Sequence, residues 1–304
     1  MRLTADILTS EFGKIQARFR TISIDHLEDL HKELFEWKHK RIITESFFTQ
    51  NYGDFRFQIP DEIPDAQSIV IIALPQKMHP LDFLINGKHY QTIIPPTYVY
   101  NSVRNTCKEI LTKELKKTNH SVVRAILPMK LLAVRSGLGE YGKNNICYVD
   151  GMGSFARLEG FYTDHRFPSY DWQEKKVMER CTSCILCQQN CPTHCIPTDR
   201  FLIHAEHCLT YFNENKEEFP SWVDRRCHHA LVGCMRCQMV CPQNRSVIVS
   251  KEQPVIFSEE ESAMILNKTP RENISETLSA KLISLDINEY YPLLSRNLSV
   301  IKNK

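Results

Sequence analysis

Cys181-Thr182-Ser183-Cys184-Ile185-Leu186-Cys187-Gln188-Gln189-Asn190-Cys191-Pro192 is the most telling stretch of this chain. Its spacing, C-x2-C-x2-C-x3-C-P, is a ligand run for iron–sulfur clusters. Three cysteines two residues apart turn successive thiolates toward one corner of a cubane. A fourth, followed by Pro, points away and ligates the neighbouring cluster. A shorter copy occurs at Cys234-Met235-Arg236-Cys237-Gln238-Met239-Val240-Cys241-Pro242, and Cys208 lies between the two. Counting through both runs assigns Cys181, Cys184, Cys187 and Cys241 to one 4Fe–4S cluster, and Cys191, Cys208, Cys234 and Cys237 to a second.

Zinc and disulfides are the competing uses of so many cysteines. Structural zinc takes separated pairs of C-x2-C knuckles, and the first run does not have that form. Disulfides need an oxidising compartment. The opening Met1-Arg2-Leu3-Thr4-Ala5-Asp6 has no apolar signal core, so the expectation is a cytoplasmic protein. Of the cysteines outside the eight, Cys107 and Cys147 read as small apolar residues of a helix and a strand. Cys195 reads as packing beside the sulfides. In Cys227-His228-His229 adjacent residues chelate one ion poorly, so the histidines read as core or solvated.

At 304 residues the chain can form two modest domains, and 42% apolar with 24% charged residues is an ordinary globular composition. A formal net charge of +2 gives no overall drive toward nucleic acid. The longest apolar run, Ile69 to Pro75, is too short to span a bilayer.

Residues 1–50 carry apolar positions at helical spacing, as in Leu27, Leu30 and Leu34, and predict two or more amphipathic helices. Phe55 to Ala66 reads as loop. Ser68 to Leu74 is a continuous β-branched run, a buried strand, and His89 to Ile94 is a second strand. Asn101 to Lys117 shows a helical stripe, and Val122 to Leu127 a short strand. Pro128 opens a helix that Gly137 closes. Asn145 to Val149 and Phe155 to Thr163 read as strands. Past the cysteines, Ser258 and Glu261 form a capping box, and Ala280 to Ile301 reads as helical. The pattern predicts an α/β domain over 1–172, a cluster domain over 173–250, and a helical tail over 251–304 that packs on the body.

Five of the ten glycines fall between Gly137 and Gly153. Gly137-Leu138-Gly139-Glu140-Tyr141-Gly142 matches G-x-G-x-x-G, but a dinucleotide site needs a strand before it and a helix after. Here a helical stretch comes before it and a strand-like one after, which excludes that reading. A Lys and two amides directly after close-set glycines suit a large polar ligand.

The segment from Leu131 to Asn145, then Gly153-Ser154, then the cysteine runs with Cys208-Leu209-Thr210-Tyr211, resembles epoxyqueuosine reductase and, more distantly, the reductive dehalogenases. The resemblance covers roughly Ser68 to Asn244 and rests on specific motifs as a set. It implies a flavin-reductase-like mixed sheet packed on a ferredoxin-like dicluster domain, with cobalamin beside the two clusters. By the resemblance Gly137, Leu138, Gly139, Gly142, Lys143 and Asn144 line the corrinoid, and a Tyr serves as proton donor, for which Tyr98 and Tyr100 are the candidates. Their competing reading is an aromatic pair packing a loop.

Two departures bear on activity. Epoxyqueuosine reductases carry a catalytic Asp upstream of the glycines, and the matching position here is Val123. No carboxylate lies between His120 and Gly139. Many members also carry a helical-repeat extension for transfer RNA, whereas this chain has only about sixty residues past the clusters. The expectation is therefore a corrinoid-dependent reductase fed by ferredoxin or flavodoxin, acting on a small molecule rather than favouring transfer RNA. Its rivals are a non-catalytic electron-transfer or corrinoid-handling protein, and a transfer-RNA epoxyqueuosine reductase with a substituted acid.

Overall fold

The computed structural model describes residues 5–168, 170–248 and 252–304. In chain order the helices and strands are α1 (Ala5–Lys14), β1 (Arg18–Ser23), α2 (Leu27–His39), α3 (Glu45–Tyr52), β2 (Ser68–Pro75), β3 (His79–Ile85), β4 (Lys88–Ile94), α4 (Asn101–Lys116), β5 (Val122–Arg124), α5 (Met129–Arg135), β6 (Glu140–Tyr141), β7 (Cys147–Tyr148) and β8 (Ala156–Thr163). They continue as α6 (Leu186–Gln189), α7 (Leu209–Glu214), α8 (Arg236–Met239), β9 (Val255–Phe257), α9 (Glu259–Leu266), α10 (Glu276–Ser284) and α11 (Tyr291–Lys302). α and β elements are mixed, as the sequence implies.

Two units emerge, and neither is a continuous stretch of chain. The first comprises Met1–Pro75 and Ser102–Ser183, the second Gln76–Asn101 and Cys184–Lys304. The segment 76–101, which the sequence pattern assigns to the domain over 1–172, thus groups with the cysteine-rich half.

The first unit is built on an antiparallel sheet of order β1-β2-β8-β5. β2 is flanked on both edges, which is why its sequence is apolar at nearly every position instead of alternating. One face packs against α1 and α4 through Leu8, Phe12, Val103, Cys107, Leu111 and Leu115. Cys107 is fully buried there, as expected of a small apolar residue. α2 buries Leu27, Leu30 and Leu34 along one stripe. α3 starts at Thr44, whose hydroxyl accepts from the Phe47 amide at 3.4 Å.

In the second unit β3 pairs antiparallel with β4 and parallel with β9. On this small sheet pack Leu81, Phe83 and Ile94 with Ile265, Leu282, Leu294 and Leu298 from the last helices. The C-terminal segment therefore supplies much of this unit's core. Ser258 and Glu261 form the predicted capping box, with bonds of 3.2 and 2.8 Å. Ala280 to Ile301 is two helices, because Asp286 turns at φ +52° and Pro292 sits in the first turn of α11.

Candidate functional site

The second cysteine run and the end of the first lie in the second unit. No disulfide joins any of the twelve cysteines. Cys191, Cys195 and Ile196 form a small buried cluster, against which Cys187, Cys208 and Cys237 pack. The Cys191 and Cys195 sulfurs are 3.4 Å apart. Short helices α6 and α8 each begin within a C-x2-C turn and carry its second cysteine, Cys187 and Cys237. Cys208 forms the N-terminal boundary of α7.

These sulfurs sense one another. The Cys195 thiol, bonded to Cys191 and Cys208, holds Cys191 down at about 5 and lowers Cys208, while its own pKa is driven strongly upward. Burial pushes Cys234 up to about 12, with the charges of Cys208 and Cys191 adding to it. Cys187, Cys191, Cys208, Cys234 and Cys237 thus share one sulfur-rich neighbourhood, and Cys195 lies inside it. Cys181 ends the first unit's last 3-10 turn (Glu179–Cys181). Among the described residues no three His, Cys, Asp or Glu side chains form a ready site for a single metal ion. His228 is buried with its Nδ1 at 3.0 Å from Asn213 Oδ1, and its pKa is depressed to about 4 by burial. It is a core histidine.

Tyr98 and Tyr100 also fall in the second unit. The Tyr98 hydroxyl donates to Glu214, and its ring packs on Tyr290 with centroids 5.9 Å apart. A Cβ on Gly233 would collide with that hydroxyl, so glycine is required at 233 for Tyr98 to reach its place. Burial raises Glu214 to about 7, against the lowering effect of the Tyr98 bond. The amide of Tyr100 donates to Asp286 at 2.8 Å.

The glycine segment belongs to the first unit. Gly137 stands at φ +69° directly after α5, as its sequence position implies. The chain then forms a hairpin of β6 and β7, with Asn145 at φ +58° in its turn. A Cβ on Gly139 would meet Tyr148 O at 2.6 Å and Cys147 Sγ at 2.7 Å. On Gly142 it would meet Asn144 Oδ1 and Tyr148 Cε2, both at 2.5 Å. The Asn144 amide donates to the Tyr148 hydroxyl at 3.0 Å. Leu138 and Asn144 are buried, and Gly137 and Lys143 retain exposure.

A large cavity in the same unit, with a volume of about 1050 Å³, has no counterpart among the sequence expectations. Val123 and Tyr162 lie on its wall, together with residues of α2, α3 and the 53–62 loop. The aromatic spacing of that loop, Phe55 and Phe57, is the one local signal of it.

With this geometry in view, the chain's relatives can be named. Residues 180–244 match the family described as the 4Fe-4S double cluster binding domain. The epoxyqueuosine reductase of Cellulophaga algicola is 24% identical over 285 residues, covering 91% of this chain and 90% of that protein. The one from Cyclobacterium marinum is 28% identical over 236 residues, 75% of this chain and 74% of its own. Among solved structures, an epoxyqueuosine reductase crystallised with an epoxyqueuosine-modified tRNA-Tyr stem loop superposes with a TM-score of 0.67 at 18% identity, covering 97% of this chain and 80% of that one. No described helix is long and apolar enough to cross a membrane. The chain resembles the epoxyqueuosine reductases in sequence and fold, with a domain for two 4Fe–4S clusters at residues 180–244.

Proposed function

We propose that this protein is an iron–sulfur reductase of epoxyqueuosine reductase type whose substrate is a small molecule rather than epoxyqueuosine in transfer RNA. The observation that carries the reading is the eight-cysteine pattern, of which Cys187, Cys191, Cys208, Cys234 and Cys237 gather in one sulfur-rich neighbourhood of the second unit. The donor set fits the group: cysteine sulfurs only, five of the eight in C-x2-C spacing, with no disulfide. Cys191, Cys208, Cys234 and Cys237 would hold one cluster, and Cys181, Cys184, Cys187 and Cys241 the other. When bound, the clusters supply one-electron transfer, drawn from a ferredoxin or flavodoxin.

The resemblance also implies a corrinoid. The space a Cβ would take at Gly139 and at Gly142 is filled from within the hairpin, which accounts for glycine at both positions without a ligand. Gly137, Gly139 and Lys143 are the members of the predicted set that keep exposure. For proton supply we assign Tyr98, whose O–H is shared with the buried carboxyl of Glu214. Tyr100 is placed to position the chain at Asp286 through its amide.

Val123 favours a small-molecule substrate over epoxyqueuosine, and it equally supports the second reading of an electron-transfer or corrinoid-handling protein without a substrate of its own. Anaerobic purification with iron, sulfide and hydroxocobalamin-binding measurements tests the reading. About eight irons and eight sulfides per chain are expected. Stoichiometric zinc without labile sulfide would overturn it, and intact clusters with no corrinoid retained would select the electron-transfer reading.

A further inference from the structure

We propose that the first unit contains a binding pocket for a small organic cation, caged by the rings of His31, Phe35, Phe48, Tyr52, Phe55 and Phe57 and bounded by Tyr162. This goes beyond the reductase reading and rests on none of the cluster cysteines.

All six rings line the 1050 Å³ cavity. They contact one another in a closed circuit. His31 meets Phe35 at 4.3 Å, Phe35 meets Phe48 at 5.1 Å, and Phe48 meets Tyr52 at 5.6 Å between centroids. Tyr52 then meets Phe55 at 5.9 Å, Phe55 meets Phe57 at 6.5 Å, and Phe57 returns to His31 at 5.0 Å. Successive planes are tilted by 41° to 74°, as walls around a centre are, and none of these pairs is stacked flat. Ring faces carry negative quadrupole charge and attract a cation within about 6 Å of their centroids. The Lys38 ammonium already lies 5.3 Å from the Phe48 centroid.

Charge on the walls points the same way. Asp25, Glu28, Asp61 and Glu62 line the cavity, opposed by Arg56 and Arg124. Glu28 is paired with Lys32 and Arg124 approaches Glu159, which leaves a wall that favours cations over anions. A phosphate-bearing ligand would meet these carboxylates.

Tyr162 is the independent sign of a ligand. It is 1% exposed, lines the cavity, and its hydroxyl has no hydrogen-bond partner among the described residues. A buried hydroxyl without a partner costs about 1–3 kcal/mol, so a native fold keeps one where something else completes it. Burial pushes the phenol's pKa up, so it is a neutral O–H at physiological pH. It suits a ligand that carries a polar oxygen beside its cationic head.

The test is calorimetric titration of the anaerobically purified full chain with choline, tetramethylammonium and 3,3-dimethylbutan-1-ol, the uncharged isostere of choline. Choline is expected to bind at least tenfold more tightly than the isostere. Phe57→Leu should abolish most of that preference. Tyr162→Phe should weaken choline about fivefold, one neutral hydrogen bond, and leave tetramethylammonium unchanged. Equal binding of choline and its isostere, or no binding of either cation to a folded chain, overturns the pocket. An equal loss for both cations in Tyr162→Phe overturns the hydroxyl contact. Iron content measured on the same samples keeps this result separate from the reductase reading.

Discussion

Val123 and Tyr162 are direct partners across the β5–β8 ladder, so both side chains stand on one face of the sheet, and both lie on the cavity wall. A carboxylate at 123 would stand beside that phenol. In its place the chain has an aliphatic group and, next to it, a phenol made less acidic by burial.

Little or no epoxyqueuosine reduction is therefore expected. General-acid assistance is typically worth about a hundredfold or more, and Val123 supplies none. Complementation of a queuosine-deficient bacterial strain, read by mass spectrometry of its transfer RNA, checks this. Full restoration of queuosine would show that another acid serves.

Cys241→Ala should damage the cluster held by Cys181, Cys184 and Cys187, and spare the one assigned to Cys191, Cys208, Cys234 and Cys237. The loss should be about four of eight irons. Paramagnetic resonance of the reduced protein separates the two centres. Damage confined to the cluster of Cys234 and Cys237 would reverse the assignment.

Cys195→Ala should keep about eight irons per chain, because Cys195 is surplus to the ligand count although its sulfur lies 3.4 Å from Cys191. Cys208→Ala should not. Iron analysis of the two variants side by side decides whether Cys195 is a neighbour or a ligand.

Glu214 sets a pH dependence of stability. Its folded pKa of about 7 lies above the ordinary 4.5, so the unfolded chain ionises first as pH rises. Its contribution is fully present below about pH 4.5 and is lost as pH climbs through 7. Across that window the loss is on the order of 3 kcal/mol. Glu214→Gln, which can still accept the Tyr98 hydrogen bond, should flatten that decline in denaturant unfolding curves. An unchanged slope would show that Glu214 does not ionise there.

Elements with strong local signals are legible in the sequence. β2 is written as an unbroken apolar run, α4 as a stripe, α9 by its capping box and the end of α5 by Gly137. β1 is not, and falls within the helical expectation for residues 1–50. Arg18-Phe19-Arg20-Thr21-Ile22-Ser23 is short and lies between helices, and only its pairing with β2 makes it a strand. β3 is hidden because Pro80 and Asp82 break its pattern; Asp82 is instead held by His89 on the adjoining strand at 3.0 Å. The double-cluster domain at residues 180–244 is legible from cysteine spacing alone. The cavity is not, because its walls come from residues 24–62 and from two strands far along the chain, and no local period records that closure.

The pairing of β3 with β9 sets when the small sheet can be completed. Leu81 faces Val255 and Phe83 faces Phe257 in a parallel register. The hairpin of β3 and β4 leaves the ribosome long before its third strand, and until then one edge of backbone amides and the apolar side chains of Leu81 and Phe83 have nothing to close on. The cysteine runs are made in that interval. A nascent chain would thus present its thiolates for metallation before the half of the molecule that carries them is complete.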